Sequence, residues 1–196
     1  DVCSSDLDVI ALDERVAIAV GAYGLFASTD DGGGTWTQRR IRDEDAHLNR
    51  ISAGPTGKLY IAGEAGTLLR STDKGATWRE IRSGYQGSFY GILPLGENVL
   101  LAYGLRGHVF RSEDDGKTWR EIKAPAPVLL ACALRIPGAG LLLAGQARTL
   151  LLSRDEGLTF AAAGEPPAAA IAEILNLGNG RVLALGETGA VVLKLP

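Results

Sequence analysis

The sequence predicts an all-β protein built from repeated antiparallel four-stranded sheets, and three observations support this fold class. Glycine accounts for 26 of 196 residues, about 13% against a usual ~7%, which indicates many tight turns. Short apolar runs alternate with Gly, Pro and Asp, and none keeps helical apolar spacing over about 10 to 12 residues. A block of similar residues also recurs every 41 to 42 residues.

Four aromatic residues mark the repeat most clearly: Trp36, Trp78, Trp119 and Phe160 are 42, 41 and 41 residues apart. Each closes a block with the pattern Ser/Thr-x-Asp-x-Gly-x-Thr-aromatic. The blocks comprise Thr29, Asp31, Gly33, Thr35 and Trp36; Ser71, Asp73, Gly75, Thr77 and Trp78; Ser112, Asp114, Gly116, Thr118 and Trp119; and Ser153, Asp155, Gly157, Thr159 and Phe160. Twelve residues ahead of the aromatics stand Gly24, Gly66, Gly107 and Arg148, with a fifth such position at Gly189. Five units are predicted, the first and last incomplete.

Within a unit, the Gly, Pro and Asp residues that separate the apolar runs predict four short strands. In the second unit these strands are 48–53, 59–62, 68–71 and 77–81. Four strands in about 40 residues are typical of one blade of a β-propeller. The five blades are expected at residues 8–41, 46–81, 87–122, 127–164 and 168–196. Residues 165–174 have a helical composition, but they fall where the innermost strand of the fifth blade belongs, and we assign them to that strand.

The recurring block is predicted to be a structural turn between the third and fourth strands. Its Asp carboxylate and Ser or Thr hydroxyl can accept backbone hydrogen bonds, and its Gly supplies a positive φ. The aromatic is expected to pack between neighbouring blades. The alternative is a catalytic or calcium-binding role, but a catalytic group is needed once and these groups recur in four units.

Composition restricts the function classes further. The net charge of −3 argues against nucleic acid binding, and no stretch approaches the ~20 uncharged residues of a membrane span.

The opening DVCSSDL matches the translation of a common sequencing adapter. We therefore expect residues 1–7 to be a non-native tail, and 8–196 to be one propeller domain. Cys3 and Cys132 cannot form a disulfide framework, and no cofactor is predicted.

A binding surface is predicted on one face of the propeller. In an up-and-down blade the block shares its face with the first hairpin, so the opposite face has the second hairpin and the inter-blade loops. These loops vary between units and are rich in Arg and aromatic residues, the types enriched at protein-binding hot spots. The alternative is a solvated mixed-charge surface, because acidic residues accompany each Arg cluster. The candidate partner-binding residues are Arg39, Arg40, Arg42, His47, Arg82, Tyr85, Phe89, Tyr90, Arg106 and His108. His47 and His108 have no third ligand at suitable spacing, so no metal is predicted.

The block resembles the Asp-box, or BNR, motif of sialidase-type propellers, S-x-D-x-G-x-T-W. This resemblance implies a glycoside hydrolase with an arginine triad, whose first arginine lies in an R-I-P motif ahead of the first Asp-box. Here the R-I-P string, Arg135-Ile136-Pro137, follows the third block. We therefore predict no enzyme activity. The alternative is a sialidase-like hydrolase whose catalytic residues lie mostly in a missing N-terminal part.

Three stretches are similar to the photosystem II assembly and stability factors and their relatives in non-photosynthetic bacteria. They are AVGAYGLFASTDDGGGTW (19–36), IAGEAGTLLRSTDKGATW (61–78) and LAYGLRGHVFRSEDDGKTW (101–119). The resemblance implies a non-enzymatic, exported or periplasmic propeller that binds subunits of membrane protein complexes through a basic patch. It also implies a ring of seven blades, of which about two are expected upstream. A purely structural domain of a larger protein is a third possibility.

Overall fold

The computed structural model describes residues 8–164 and 168–195, which form five antiparallel sheets, here called blades 1 to 5. Blade 1 contains β1 (Asp8–Ala11), β2 (Ala17–Val20), β3 (Phe26–Thr29) and β4 (Thr37–Gln38). Blade 2 contains β5 (Leu48–Ala53), β6 (Leu59–Gly63), β7 (Leu68–Ser71) and β8 (Arg79–Glu80). Blade 3 contains β9 (Phe89–Pro94), β10 (Leu100–Gly104), β11 (His108–Ser112) and β12 (Arg120–Lys123). Blade 4 contains β13 (Leu130–Ile136), β14 (Gly140–Gly145), β15 (Leu150–Ser153) and β16 (Ala161–Ala162). Blade 5 contains β17 (Ile171–Gly178), β18 (Arg181–Gly186) and β19 (Gly189–Lys194).

Each strand pairs with the next one along the chain, so every blade is an up-and-down meander. The first strands of successive blades, β1, β5, β9, β13 and β17, contact one another in that order. The predicted β-propeller of four-stranded antiparallel blades is confirmed. One detail of the prediction is wrong: blade 1 was expected to be incomplete, yet it has four strands, because the short segment from Asp8 to Ala11 pairs fully with β2.

The segment 165–174, helical in composition, joins blade 5 as a strand from Ile171 onward, where β17 pairs with β18. Residues 165–167 lie outside the described residues, as does the predicted adapter-derived tail at 1–7. In the ranges that the structure describes, no helix has the length and apolar character needed to cross a membrane.

The hydrophobic core lies between blades rather than within them. Four clusters of buried side chains occupy the four junctions between successive blades. Because the middle strands pack on a neighbour on both sides, all five residues of β6 and of β10 are buried. Sheets covered on both faces have such continuous apolar strands instead of alternating ones.

The aromatic that closes each block packs on the preceding blade. Trp78 of blade 2 contacts the Phe26 ring of blade 1 edge to face at 5.9 Å between centroids. Trp119 and Phe160 occupy the next two junctions. Trp36 differs from them and is 45% exposed, because it belongs to blade 1, the first blade in this chain.

Candidate partner-binding face

The four block turns share one hydrogen-bond pattern. In blade 3, Ser112 Oγ donates to Asp114 Oδ1 (2.9 Å) and accepts from the Gly116 amide (2.9 Å). Asp114 accepts from the Thr118 amide (2.8 Å) and the Thr118 hydroxyl (2.6 Å). The turns of blades 1, 2 and 4 repeat these four contacts. The acidic and hydroxyl groups are therefore bound within their own turn.

Gly116 shows why glycine is needed in this turn. Its φ is +81°, and a Cβ would lie 2.6 Å from Cγ2 of Ile81 in the loop leaving blade 2. A side chain would thus be opposed both by the backbone conformation and by the preceding blade.

These hydrogen bonds lower the pKa of each block aspartate to about 2. For Asp73, Asp114 and Asp155 the largest cause is the hydroxyl of the following threonine, and for Asp31 it is the Thr35 amide. A general acid at neutral pH needs a pKa near the working pH. The four carboxylates are ionised and belong to four separate turns, which favours the structural role.

The structure adds an ion-pair cluster that the sequence analysis missed, on the same face as the blocks. The carboxylate of Asp115, the residue after the blade 3 block aspartate, accepts from Lys58 Nζ (2.8 Å), Arg70 Nη1 (2.6 Å) and Tyr60 Oη (3.0 Å) of blade 2. Burial, with this hydrogen bond, raises the pKa of Tyr60. Because the cluster joins two blades, we call it an inter-blade clamp.

A second clamp joins blades 3 and 4 at Glu156. Its carbonyl accepts from Arg111 Nε (3.0 Å), and its carboxylate accepts from Arg135 Nη2 (3.0 and 3.1 Å). Arg135 Nη1 also donates to the Leu95 carbonyl (2.7 Å). The arginine of the R-I-P string is therefore bound to protein groups. A sequence signal was present, since Asp115 and Glu156 are 41 residues apart, as are Arg70 and Arg111.

Another unpredicted contact joins the first strands of blades 2 and 5. Arg50 Nη2 lies 2.7 Å from Glu173 Oε2, and Asp8 Oδ2 accepts from the Ile51 amide at 2.9 Å. Arg50 and Glu173 are three repeats apart, at equivalent positions of the innermost strands, but the repeat does not indicate that blades 2 and 5 come into contact. Within the described ranges, no cluster of three or more His, Cys, Asp or Glu side chains could hold a metal ion.

On the opposite face, the predicted arginines between blades 1 and 2 contact groups of the same chain. Arg40 Nη2 pairs with Asp45 (2.6 Å), and Arg42 binds Glu44 and the Thr67 hydroxyl. Arg39 differs from them: it lies over the Phe26 ring and donates at 2.7 Å to the carbonyl of Ala76 in the block turn of blade 2, so its guanidinium reaches the block face. These contacts give the cluster a role in packing and charge balance.

The two predicted histidines lie in separate environments. His47 Nδ1 is 3.7 Å from Glu64, and its ring meets Tyr23 edge to face at 4.9 Å. His108 Nδ1 is 2.5 Å from Glu121, and its ring is 4.8 Å from Tyr85. Each imidazole thus has its own acidic and aromatic neighbour.

The predicted aromatic residues divide between core and surface. Phe89 is fully buried and Tyr85 half-buried, with ring centroids 5.2 Å apart. Tyr90 is also half-buried, whereas Arg82 is 87% exposed beside Glu80 at 3.4 Å. Phe89 therefore stabilises the junction, and Arg82, Tyr85 and Tyr90 remain accessible.

Arg106 lines a groove of about 610 Å³ that extends over blades 3, 4 and 5 on this face. Its walls are mostly apolar: Leu105, Pro127, Val128, Leu129 and Ala168, Ala169 and Ala170. Arg148 and Glu187 supply further charged groups. In the sequence, Arg148 stands out only as a departure from glycine, and the apolar walls give no signal because they come from loops distant in sequence.

Comparison with known proteins identifies the family. The model of the family described as "Photosynthesis system II assembly factor YCF48" matches residues 1–127. A curated relative, the "Photosystem II assembly lipoprotein Ycf48" of Synechococcus sp. (strain CC9902), is 32% identical over 80 residues, which are 40% of this chain and 24% of that protein. Two solved structures share the fold. "YCF48 bound to D1 peptide" is 20% identical with a TM-score of 0.69, covering 96% of this chain and 66% of that one. "YCF48 from Cyanidioschyzon merolae" is 18% identical with a TM-score of 0.73, covering 97% and 66%.

The chain thus spans about a quarter of the curated relative and just under two thirds of each solved structure. The family match covers more than half of this chain, and the blade geometry agrees with it. This chain therefore belongs to the photosynthesis system II assembly factor YCF48 family.

Proposed function

We propose that this chain is part of an exported, non-enzymatic propeller that binds a protein partner during the assembly of a membrane complex. Membership of the YCF48 family supports assembly. A related propeller is described as bound to a D1 peptide, which supports a polypeptide as the partner. The curated relative is named a lipoprotein, which supports export.

The groove beside Arg106 is the proposed contact site, and it is the observation that supports this function most. It combines apolar walls with arginine on the face whose loops differ from blade to blade. An extended peptide could bury apolar side chains there while a carboxylate pairs with Arg106. Arg82, Tyr85, Tyr90 and His108 would extend the contact along the same face. Peptide sites usually combine such apolar anchors with a few placed charges.

The contacts of the acidic and basic groups argue against the sialidase-like alternative. Arg135 of the R-I-P string binds Glu156 and the Leu95 carbonyl. The block carboxylates bind their own turns. In the part of the chain that the structure describes, Arg135 and the block carboxylates therefore do not gather around one shared pocket. No turnover of a fluorogenic sialoside is expected from this chain, and turnover would favour the hydrolase.

A peptide-binding measurement tests the proposal. The D1 peptide of the related complex, labelled with a fluorophore, is titrated with the chain and followed by anisotropy, beside a scrambled peptide. We expect Arg106→Ala to weaken binding about tenfold or more, as truncation of a hot-spot arginine does. Lys117→Ala, an exposed change on the block face, should leave it unchanged. Equal binding of the scrambled peptide, or equal affinity of both variants, would contradict the proposal.

A further inference from the structure

The junction between blades 1 and 2 lacks the clamp found at the next junction. At blades 2 and 3, a lysine, a tyrosine and an arginine surround the carboxylate of Asp115. One repeat earlier, the positions of Lys58, Tyr60, Arg70 and Asp115 are occupied by Val16, Ile18, Ser28 and Lys74. Blade 1 therefore lacks the two cations and the phenol that blade 2 contributes to the clamp. In blade 2, a lysine occupies the position that Asp115 has in blade 3.

A cavity of about 320 Å³ lies where the clamp is missing, and those four substituted residues line it. Its inner wall is aliphatic, formed by Val16 and Ile18. Its outer wall has the hydroxyls of Ser28 and Thr37, which are direct partners across β3 and β4. Cross-strand partners place their side chains on the same side of a sheet. Neither hydroxyl has a hydrogen-bond partner among the described residues.

Two cations border the cavity. Arg39 is fixed by the Phe26 ring, 4.7 Å away, and by the carbonyls of Gly75 and Ala76. These carbonyls take two of the five N–H donors of its guanidinium. Lys74 is exposed at the rim, with a φ of +56° that matches the +58° of Asp115. The two residues thus hold equivalent backbone positions with opposite charge.

Two of the three aspartate carboxylates near this cavity, those of Asp13 and Asp31, accept hydrogen bonds within the protein. The Asp13 carboxylate accepts from the amides of Arg15 (2.9 Å) and Val16 (2.8 Å), and Asp31 is bound within its block turn. Asp30 lines the cavity, and its carbonyl accepts from Arg15. Of the charged residues that line the cavity itself, Arg39 and Lys74 are cationic and Asp30 is anionic, a formal charge of +1 that favours an anion.

We propose that this cavity binds a carboxylate on a short aliphatic stem, from either a free dicarboxylate or a glutamate side chain of a partner. At the next two junctions the residue in the position of Lys74 is an acid, Asp115 or Glu156. Here that position is Lys74, and two cations and two hydroxyls lie beside an aliphatic wall. The site lies on the block face, opposite the groove of Arg106, so it is independent of the proposed peptide site.

Titration of the full chain with glutarate at constant ionic strength, followed by amide NMR shifts, tests the site. We expect saturable shifts at Thr37, Gly75 and Ala76, with a dissociation constant of about 1 mM. Lys74→Glu should weaken binding at least tenfold, and Ser28→Arg should do the same by filling the cavity. Lys117→Glu is the matched control, the same change in the next block turn, and should bind as the parent does. No saturable shift, or equal binding by Lys74→Glu and the parent, would overturn the proposal.

Two further ligands distinguish the source of the carboxylate. A tetrapeptide with one internal glutamate is compared with its glutamine counterpart. Binding of the glutamate peptide at least as tight as that of glutarate assigns the site to a protein partner, and binding of glutarate alone assigns it to a free dicarboxylate. Equal shifts with the glutamine peptide, or with chloride at the same ionic strength, would overturn carboxylate recognition.

Discussion

The two faces of the propeller use the same repeating backbone in opposite ways. On the block face, four turns repeat one set of side-chain hydrogen bonds. On the opposite face, the second hairpins repeat a left-handed backbone at Tyr23, Ala65, Arg106 and Ala147, with φ between +50° and +57°. There the residue types vary, from alanine in two hairpins to tyrosine and arginine in the others. The repeat thus fixes the backbone conformation on both faces. Only on the block face does it also fix side-chain hydrogen bonds, so the residue types of the opposite face are free to vary.

The largest effect should come from a residue on the variable face that is nonetheless part of the core. Phe89→Ala removes a fully buried ring from the junction of blades 2 and 3. We expect the free energy of unfolding to fall by about 3–5 kcal/mol, the cost of a large cavity. Chemical denaturation gives this value. If the loss were below about 1 kcal/mol, Phe89 would belong with the surface residues.

The matched control for this change is Tyr23→Ala, an aromatic truncation on the same face. Tyr23 is 71% exposed and contacts the His47 ring. We expect a change within about 0.5 kcal/mol, as for surface substitutions generally. A cost as large as that of Phe89 would show that burial does not separate core from surface on this face.

A smaller difference is expected between two turn serines, one on each face. Ser112 is buried and accepts the Gly116 amide at 2.9 Å, whereas Ser83 is half-buried and accepts the Tyr85 amide at 3.2 Å. Ser112→Ala should cost about 1–3 kcal/mol, because a buried N–H loses its partner. Ser83→Ala should cost less, because water can replace its hydroxyl. Equal losses in thermal or chemical unfolding would contradict the special role of the block.

The block turns can be recognised from the sequence because their contacts are local. Ser112, Asp114 and Thr118 lie within seven residues, so their spacing specifies the turn. The inter-blade clamp was missed although Arg70 and Asp115 recur at the repeat distance, because their contact joins residues 45 apart. The groove of Arg106 was only partly predicted, since Leu129 and Ala169 reach it from different loops. Phe89 belongs to the core and Tyr85 remains accessible because their burial differs. Residue type alone does not predict that difference.

The smallest expected effect is a change in the pH dependence of stability. The pKa of Asp114 falls from 3.8 to about 2 on folding, so the unfolded chain binds more protons at pH 3. The stabilisation is present above pH 3.8 and is lost as the pH falls towards about 2. Asp114→Asn should therefore lower stability at pH 7 and flatten the decline between about pH 5 and 2, as measured by urea unfolding at several pH values. Asp43→Asn, an exposed aspartate outside the blocks, should retain the parent profile. The change in stability expected from one carboxylate is small, because water screens the charge of an exposed group and the other three blocks retain their aspartates. An unchanged slope in Asp114→Asn would mean that the block acts through its hydroxyls and glycine alone, and the two faces would then differ in backbone packing rather than in charge.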